Sequence, residues 1–376
     1  MYDAIVIGGG IVGMSTAYHL VRDGAKTLLL DRRDSGRATD AGAGILSGDT
    51  FAGDSLARYR LGIEAYAYYG VLATALRQAG CDSGYATCGM LMVAPAPELV
   101  QRFERVLARI VDRMKGRVEF GSDEFREITP ARARELFPPL GEMSRVLFHG
   151  NAGRVEARVI TDAMEKVAIR GGLTIRRHSV TELIRDGSRL TGVGIGDTTC
   201  HADNVVIAGG AWSRDFGEQL GVEIPVRPQR GQIIHLSPVD QPTGLWPVVS
   251  VVSENYLVPF EGARVVVGAT HEDDAGFSAR VTVGGVQKVL DDALRIAPGL
   301  IDAEIIETRA GLRPMAPDGL PVIGDVPGIE NAYVSTAHGA NGIMLGPYSG
   351  KLIADRIAGR EVTGVLDAFH LSRFAG

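Results

Sequence analysis

Cysteine is scarce: the chain has three in 376 residues, Cys81, Cys88 and Cys200. So few, so irregularly spaced, they exclude a disulfide framework and a zinc site, and no metal is expected. They read as reduced thiols, which sets the expectation of a cytoplasmic compartment. Runs of lysine or arginine are also missing. With a net charge of −6 the chain lacks the basic footprint that a phosphate backbone needs, which excludes nucleic acid as a partner. No stretch of 18 apolar residues occurs, and the first apolar run begins almost at the initiator methionine, leaving no room for a leader. The expectation is a protein neither secreted nor membrane-spanning, with no transmembrane segment. Internal repeats, low-complexity tracts and a Ser/His/Asp pattern are absent as well.

What is present is an ordinary folded composition, 45% hydrophobic and 22% charged, in a chain longer than one core usually supports. Two domains, or one large domain with a lobe, follow. Glycine is abundant, and its placement carries the first motif. The segment YDAIVIGGGIVGMSTAYHLVRDGAKTLLLDRR opens on an apolar run at 4–7, breaks into three glycines, continues with helical periodicity to Gly24, and ends on a second apolar run before Asp31. Gly8, Gly10 and Gly13 have the G-x-G-x-x-G spacing: a tight turn, close backbone approach to a pyrophosphate, and close packing of helix on strand. Helix N–H groups then face the phosphates. Asp31 stands where a carboxylate accepts hydrogen bonds from a ribose. Strand, turn, helix, strand and acid together read as a dinucleotide unit, NAD or FAD.

The small residues of 41–47 let backbone lie against a flat ligand, or form a flexible loop. Residues 54–80 and 98–115 have helical periodicity, and the cluster Tyr66, Tyr68 and Tyr69 reads as packing. Short β-rich pieces follow at 88–94 and 144–149. A helix is expected over 157–172, then a meander with a hairpin turn at Asp186-Gly187. The apolar run 204–208 stops at Gly209 and Gly210 and starts a helix at Ala211, a second glycine turn that either presses on the nucleotide or only turns the chain. Residues 216–310 read as strands alternating with turns. The last segment returns to strand, glycine turn and helix.

Three stretches, IVIGGGIVGMSTAYHL with its acid, AGAGILSG, and GLRPMAPDGLPVIG followed by HGANGIMLGP, resemble the FAD-dependent oxidoreductases of the D-amino-acid oxidase superfamily. The likeness lies in the branch that holds glycine oxidase and D-amino-acid dehydrogenases. It implies an α/β fold: a discontinuous Rossmann-type FAD-binding domain (1–80, 150–215 and 314–376) and an α+β substrate lobe built on an antiparallel sheet (81–149 and 216–313). It also implies an amino-acid substrate, and oxygen or a quinone as electron acceptor. Its G-L-R-P arginine, Arg313 here, would hold the substrate carboxylate, assisted by Tyr256 of NYLVP. Cofactor contacts are expected from Gly8, Gly10, Ile11, Val12, Gly13, Asp31, Arg32, Thr39, Ala43, Gly44, Ile45, Leu46, Val180, Ala208, Gly209, Trp212, Gly311 and Arg313, and from Asn341, Gly342, Ile343 and Met344 at the flavin pyrimidine end. No cysteine lies near either motif where covalent relatives carry one, so noncovalent FAD follows. Glycine-oxidase relatives often carry a basic residue before the Asn-Gly pair; this chain has Ala340, and His271 after its G-A-T motif.

An amine gives hydride to a flavin without a protein nucleophile, so the chemistry needs an anion clamp and a flat acceptor, and arginine's planar guanidinium suits a carboxylate. Arg309 lies four residues before Arg313 on the same face of a strand and reads as the partner of a nearby acid, the alternative being a second contact to substrate or flavin. His271 is either a substrate-facing catalytic group or a satisfied histidine at a strand end. Trp246 is either a pocket wall or core. The leading expectation is oxidation of the C–N bond of a small amino acid, D-amino acid, glycine or N-alkyl amino acid. The alternatives are oxidation of a 2-hydroxy acid, or a flavin subunit of a larger complex. A homo-oligomer is compatible with the sequence.

Overall fold

A computed structural model of the chain describes residues 1–50, 53, 55–252, 255–362, 364 and 366–374. The first apolar run forms the strand Tyr2–Ile7, whose last four residues are buried. It breaks at Gly8, at φ +104°, where a Cβ would lie 2.4 Å from the carbonyl oxygen of Ala208. Only glycine accommodates that backbone and that approach together. The helix Ile11–Arg22 then packs back on the strand: a Cβ on Gly13 would lie 1.9 Å from the carbonyl oxygen of Gly8.

Tyr2–Ile7 is central to a parallel ladder, between Thr27–Leu30 and Thr198–Ile207, which Thr174–Arg176 and Ala332–Thr336 extend on either side. Antiparallel strands Glu182–Asp186, Arg189–Ile195 and Val322–Asp325 complete eight strands among the described residues. The expected hairpin at Asp186-Gly187 is formed, with Asp186 opposite Arg189. One face of the sheet carries Ile11–Arg22, Ala157–Arg170 and Gly342–Ile357, whose apolar residues join Leu29 and Val206 in one core. Gly346 and Gly350 bring the last helix onto the first, since a Cβ at either would lie within 2.8 Å of Ile11 or Ser15. Buried Tyr68 and Tyr69, from the helix Leu56–Gln78, belong to this core, as expected.

A second sheet of eight strands runs in the order Glu304–Met315, Arg227–Ser237, Arg264–Gly268, Tyr256–Phe260, Val248–Val251, Met90–Ala94, Arg145–His149 and Phe125–Glu127. It is antiparallel except where Val248–Val251 meets Met90–Ala94. The strands-and-turns expectation for 216–310 needs a correction, because the helix Val283–Ile296 interrupts the strands and buries Val289, Ala293 and Ile296 on the sheet. Thr282 caps it, accepting from the Gly285 amide at 3.2 Å, while Gly284 and Gly285 in the first turn hide it from a periodicity reading. Trp246 is core too, 4.8 Å from Phe137 between ring centroids. No described helix is long and apolar enough to cross a membrane.

Candidate functional site

The carboxyl ends of the parallel strands and one face of the second sheet enclose a cavity of about 890 Å³. Open sheets of this kind place ligands at such strand ends. On the nucleotide side the wall is largely backbone. Gly8, Gly9 and Gly10 form the turn, and a Cβ on Gly9 would lie 2.6 Å from the Asp31 carboxylate. Thr39 Oγ1 accepts from the Ile11 amide at 3.0 Å, fixing the start of the first helix. Asp31 lines the cavity, with Oδ2 accepting from Arg37 at 2.8 Å and Arg177 at 3.2 Å. Arg32 lies over the Trp212 ring, 5.9 Å from its centroid.

The small-residue run threads between the two sheets. Gly44, at φ +79°, has no room for a Cβ, which would lie 1.8 Å from the Val155 carbonyl oxygen. A Cβ on Gly42 would meet Ile343, and one on Gly311 would meet Ala41. The run thus passes close to the start of the last helix on one side and to Glu304–Met315 on the other. The turn at 341–344 lines the cavity, held by the Tyr69 hydroxyl, which donates to the Ile343 carbonyl.

Arg313 stands beside Gln229 on the neighbouring strand. Its Nη1 donates to Gln229 Oε1 at 3.1 Å and to the Thr270 carbonyl at 2.9 Å. The guanidinium lies flat over Gly231, where a Cβ would come within 2.4 Å of Nη2. Burial pushes the Tyr256 phenol above its ordinary pKa, against the pull of the charge and hydrogen bond of Arg313. Gly268 makes room for that phenol, since a Cβ there would lie 2.8 Å from the Tyr256 oxygen. The loop that carries His271 is tied down on both sides: Thr270 Oγ1 accepts from the Gln232 amide at 2.9 Å, and Gln229 Nε2 donates to Asp273 at 3.0 Å. His338 also lines the cavity, and burial lowers its pKa to about 4. Ser349 gives its hydroxyl proton to the Leu345 carbonyl, so Nε2 of His338 is the donor in the 3.0 Å bond between them.

The cavity gathers Arg313, Tyr256 and His271 with the residues expected to meet the cofactor, except two. Gly13 lies behind the turn, and Leu46 is fully buried in the core of the first sheet, facing away from the cavity. Arg309 is also outside; it pairs with Glu307 at 2.6 Å and donates to the Asp40 carbonyl at 3.3 Å, as its sequence reading expects. The lining further includes Arg37, Arg58, Arg102, Arg109, Gln219 and Gln229, which the sequence reading misses. Gln229 is found only through strand pairing. Arg102 and Arg109 carried one signal, a spacing of seven along a helix.

A family of FAD dependent oxidoreductases matches residues 3–356. The uncharacterized oxidoreductase YurR of Bacillus subtilis is 35% identical over 363 residues, covering 96% of each chain. The glycine oxidase of Bacillus subtilis is 30% identical, over 99% of this chain and 97% of its own. The crystal structure of iminodiacetate oxidase from Chelativorans sp. BNC1 superposes with a TM-score of 0.92 over 98% of both chains, at 36% identity.

Proposed function

The chain belongs to this family of FAD-dependent oxidoreductases, and from that premise we propose that it oxidises the C–N bond of a small amino acid or N-alkyl amino acid. The observation that carries the reading is Arg313, positioned by Gln229, Thr270 and Tyr256 in the cavity that begins at the glycine turn. The cradle fits the cofactor: the cavity runs along the backbone of Gly8, Gly9 and Gly10 at the amino end of the first helix, with Asp31 in its wall where a ribose would be met. None of the three cysteines lines the cavity, which supports noncovalent binding.

When bound, FAD accepts a hydride, and dioxygen or a quinone takes the electrons on. Arg313 receives the substrate carboxylate through N–H groups presented to the cavity, in the two-bond geometry that fixes a carboxylate's plane. Tyr256 braces that guanidinium. The clamp thereby orients the α-carbon, which loses its hydrogen with the electron pair while nitrogen loses a proton and C=N forms. Water then hydrolyses the imine to a keto acid and ammonia or an amine. The amino end of the helix Gly342–Ile357 lines the cavity and would offer its positive end to negative charge on a bound flavin.

Anaerobic additions of glycine, D-, L- and N-methyl amino acids and 2-hydroxy acids, read by bleaching of the flavin absorbance, test this. Reduction by an amine substrate is expected; reduction by hydroxy acids alone would replace C–N with C–O oxidation.

A further inference from the structure

The cavity does not end at the clamp. Tyr256 stands opposite Ser250, and Ser250 opposite Met92, on the adjacent strands Tyr256–Phe260, Val248–Val251 and Met90–Ala94. Residues paired in register share one face of a sheet, and all three line the cavity. Val252, two residues past Ser250, lines it as well, its amide donating to the Val93 carbonyl at 3.2 Å. The floor thus continues two strand spacings beyond Tyr256, about 10 Å.

The helix Val100–Met114 borders this stretch. Its Phe103 and Ile110 are buried with Met92 and Val252 in one apolar core. Val106 stands between them on the same stripe, three residues after one and four before the other, and it both packs against that core and lines the cavity. Met92, Val106 and Val252 therefore turn apolar surface toward the space past Tyr256. Arg102 and Arg109 also border it, and both have interactions of their own within the protein, so neither calls for a ligand anion.

We propose that this extension receives an apolar arm of the substrate, with Met92, Val106 and Val252 as specificity-determining residues. The proposal rests on the amine-oxidation reading above. It narrows that class to amino acids whose nitrogen or α-carbon carries an alkyl arm, with glycine the poorest member. With the carboxylate at Arg313, which Tyr256 braces, such an arm has the floor beyond Tyr256 to lie along. Binding gains because apolar surface on both partners leaves water.

The test separates binding from turnover. Alkylthioacetates have sulfur where the amine would be, carry one carboxylate, and differ only in the arm. Calorimetric titration of the FAD-loaded protein with methyl-, propyl- and pentylthioacetate is expected to show affinity rising along the series, by about three- to fourfold for each methylene buried. Val106→Trp and Ser250→Leu each fill the extension from a different element, and in each the ratio of pentyl to methyl affinity should collapse toward one. The methyl compound serves as the reference within each variant, and flavin absorbance verifies that each holds its cofactor. A flat series, or a rise untouched by both variants, overturns the extension as a substrate subsite. Flavin bleaching is read separately. Bleaching by amino acids with a flat series removes the subsite and leaves amine oxidation standing; a rising series without bleaching by any amino acid removes amine oxidation and keeps the subsite.

Discussion

The two sides of the cavity are made of different material. On the nucleotide side the chain offers backbone: a glycine turn packed closely on its own neighbours, and the amino end of the first helix. On the lobe side it offers side chains brought from separate segments, Arg102, Arg109, Gln229, Tyr256, His271 and Arg313. On the reading proposed above, the first surface meets what the cofactor always has, a pyrophosphate and a flat ring, while the second works through side-chain identity, so that a substitution there is expected to change specificity without disturbing the cradle.

The sharpest break of that contrast is Gly8→Ala. Its methyl would sit 2.4 Å from the Ala208 carbonyl oxygen, on a backbone at φ +104°. Purified variant is expected to carry little or no flavin by absorbance, and stoichiometric FAD would contradict the cradle. Arg313→Ala is the next largest. It should keep FAD and lose about 2–5 kcal/mol of substrate binding, the cost of removing one partner from a buried charge pair. Flavin reduction that no longer saturates with substrate is the expected reading; an unchanged half-saturation would move the clamp elsewhere.

The same division explains what was legible in the sequence. Gly8, Gly10 and Asp31 are local, so a strand, a turn and an acid revealed them before any fold was known. Arg313 was legible because four adjacent residues resemble a family motif. Leu46 shows the limit of a motif: it sits in the small-residue run, yet the strand Ile45–Leu46 turns alternate residues to opposite sides, leaving Ile45 on the cavity and Leu46 in the core. Gln229 and Arg313 are 84 residues apart and meet only because their strands pair in that register. The pairing is a tertiary fact that no local pattern carries.

A smaller effect probes how Arg313 is positioned. Gln229→Leu removes the 3.1 Å acceptor of Nη1 and the tie to Asp273, and should cost about 1–2 kcal/mol in kcat/KM. A positioning role raises KM and lowers kcat while FAD content stays unchanged; a drop in Tm alone would mean that Gln229 only supports the strand.

The smallest effect concerns His338, where the two sides meet. Burial lowers its pKa to about 4, from an ordinary value of 6.5, as it does for His19 and His235. Such a histidine binds its proton less readily folded than unfolded. Between about pH 6.5 and 4 the unfolded chain therefore takes up more protons, and stability falls as the pH falls. Each fully buried histidine contributes a slope of at most about 1.4 kcal/mol per pH unit in that window, and nothing above it. Urea denaturation of the protein and of His338→Gln, between pH 7 and 4.5, isolates one share, because glutamine can still donate toward Ser349 but does not titrate. The variant's stability should decline less steeply with acid, by up to one histidine's slope; parallel curves would mean that His338 reaches water and protonates without cost.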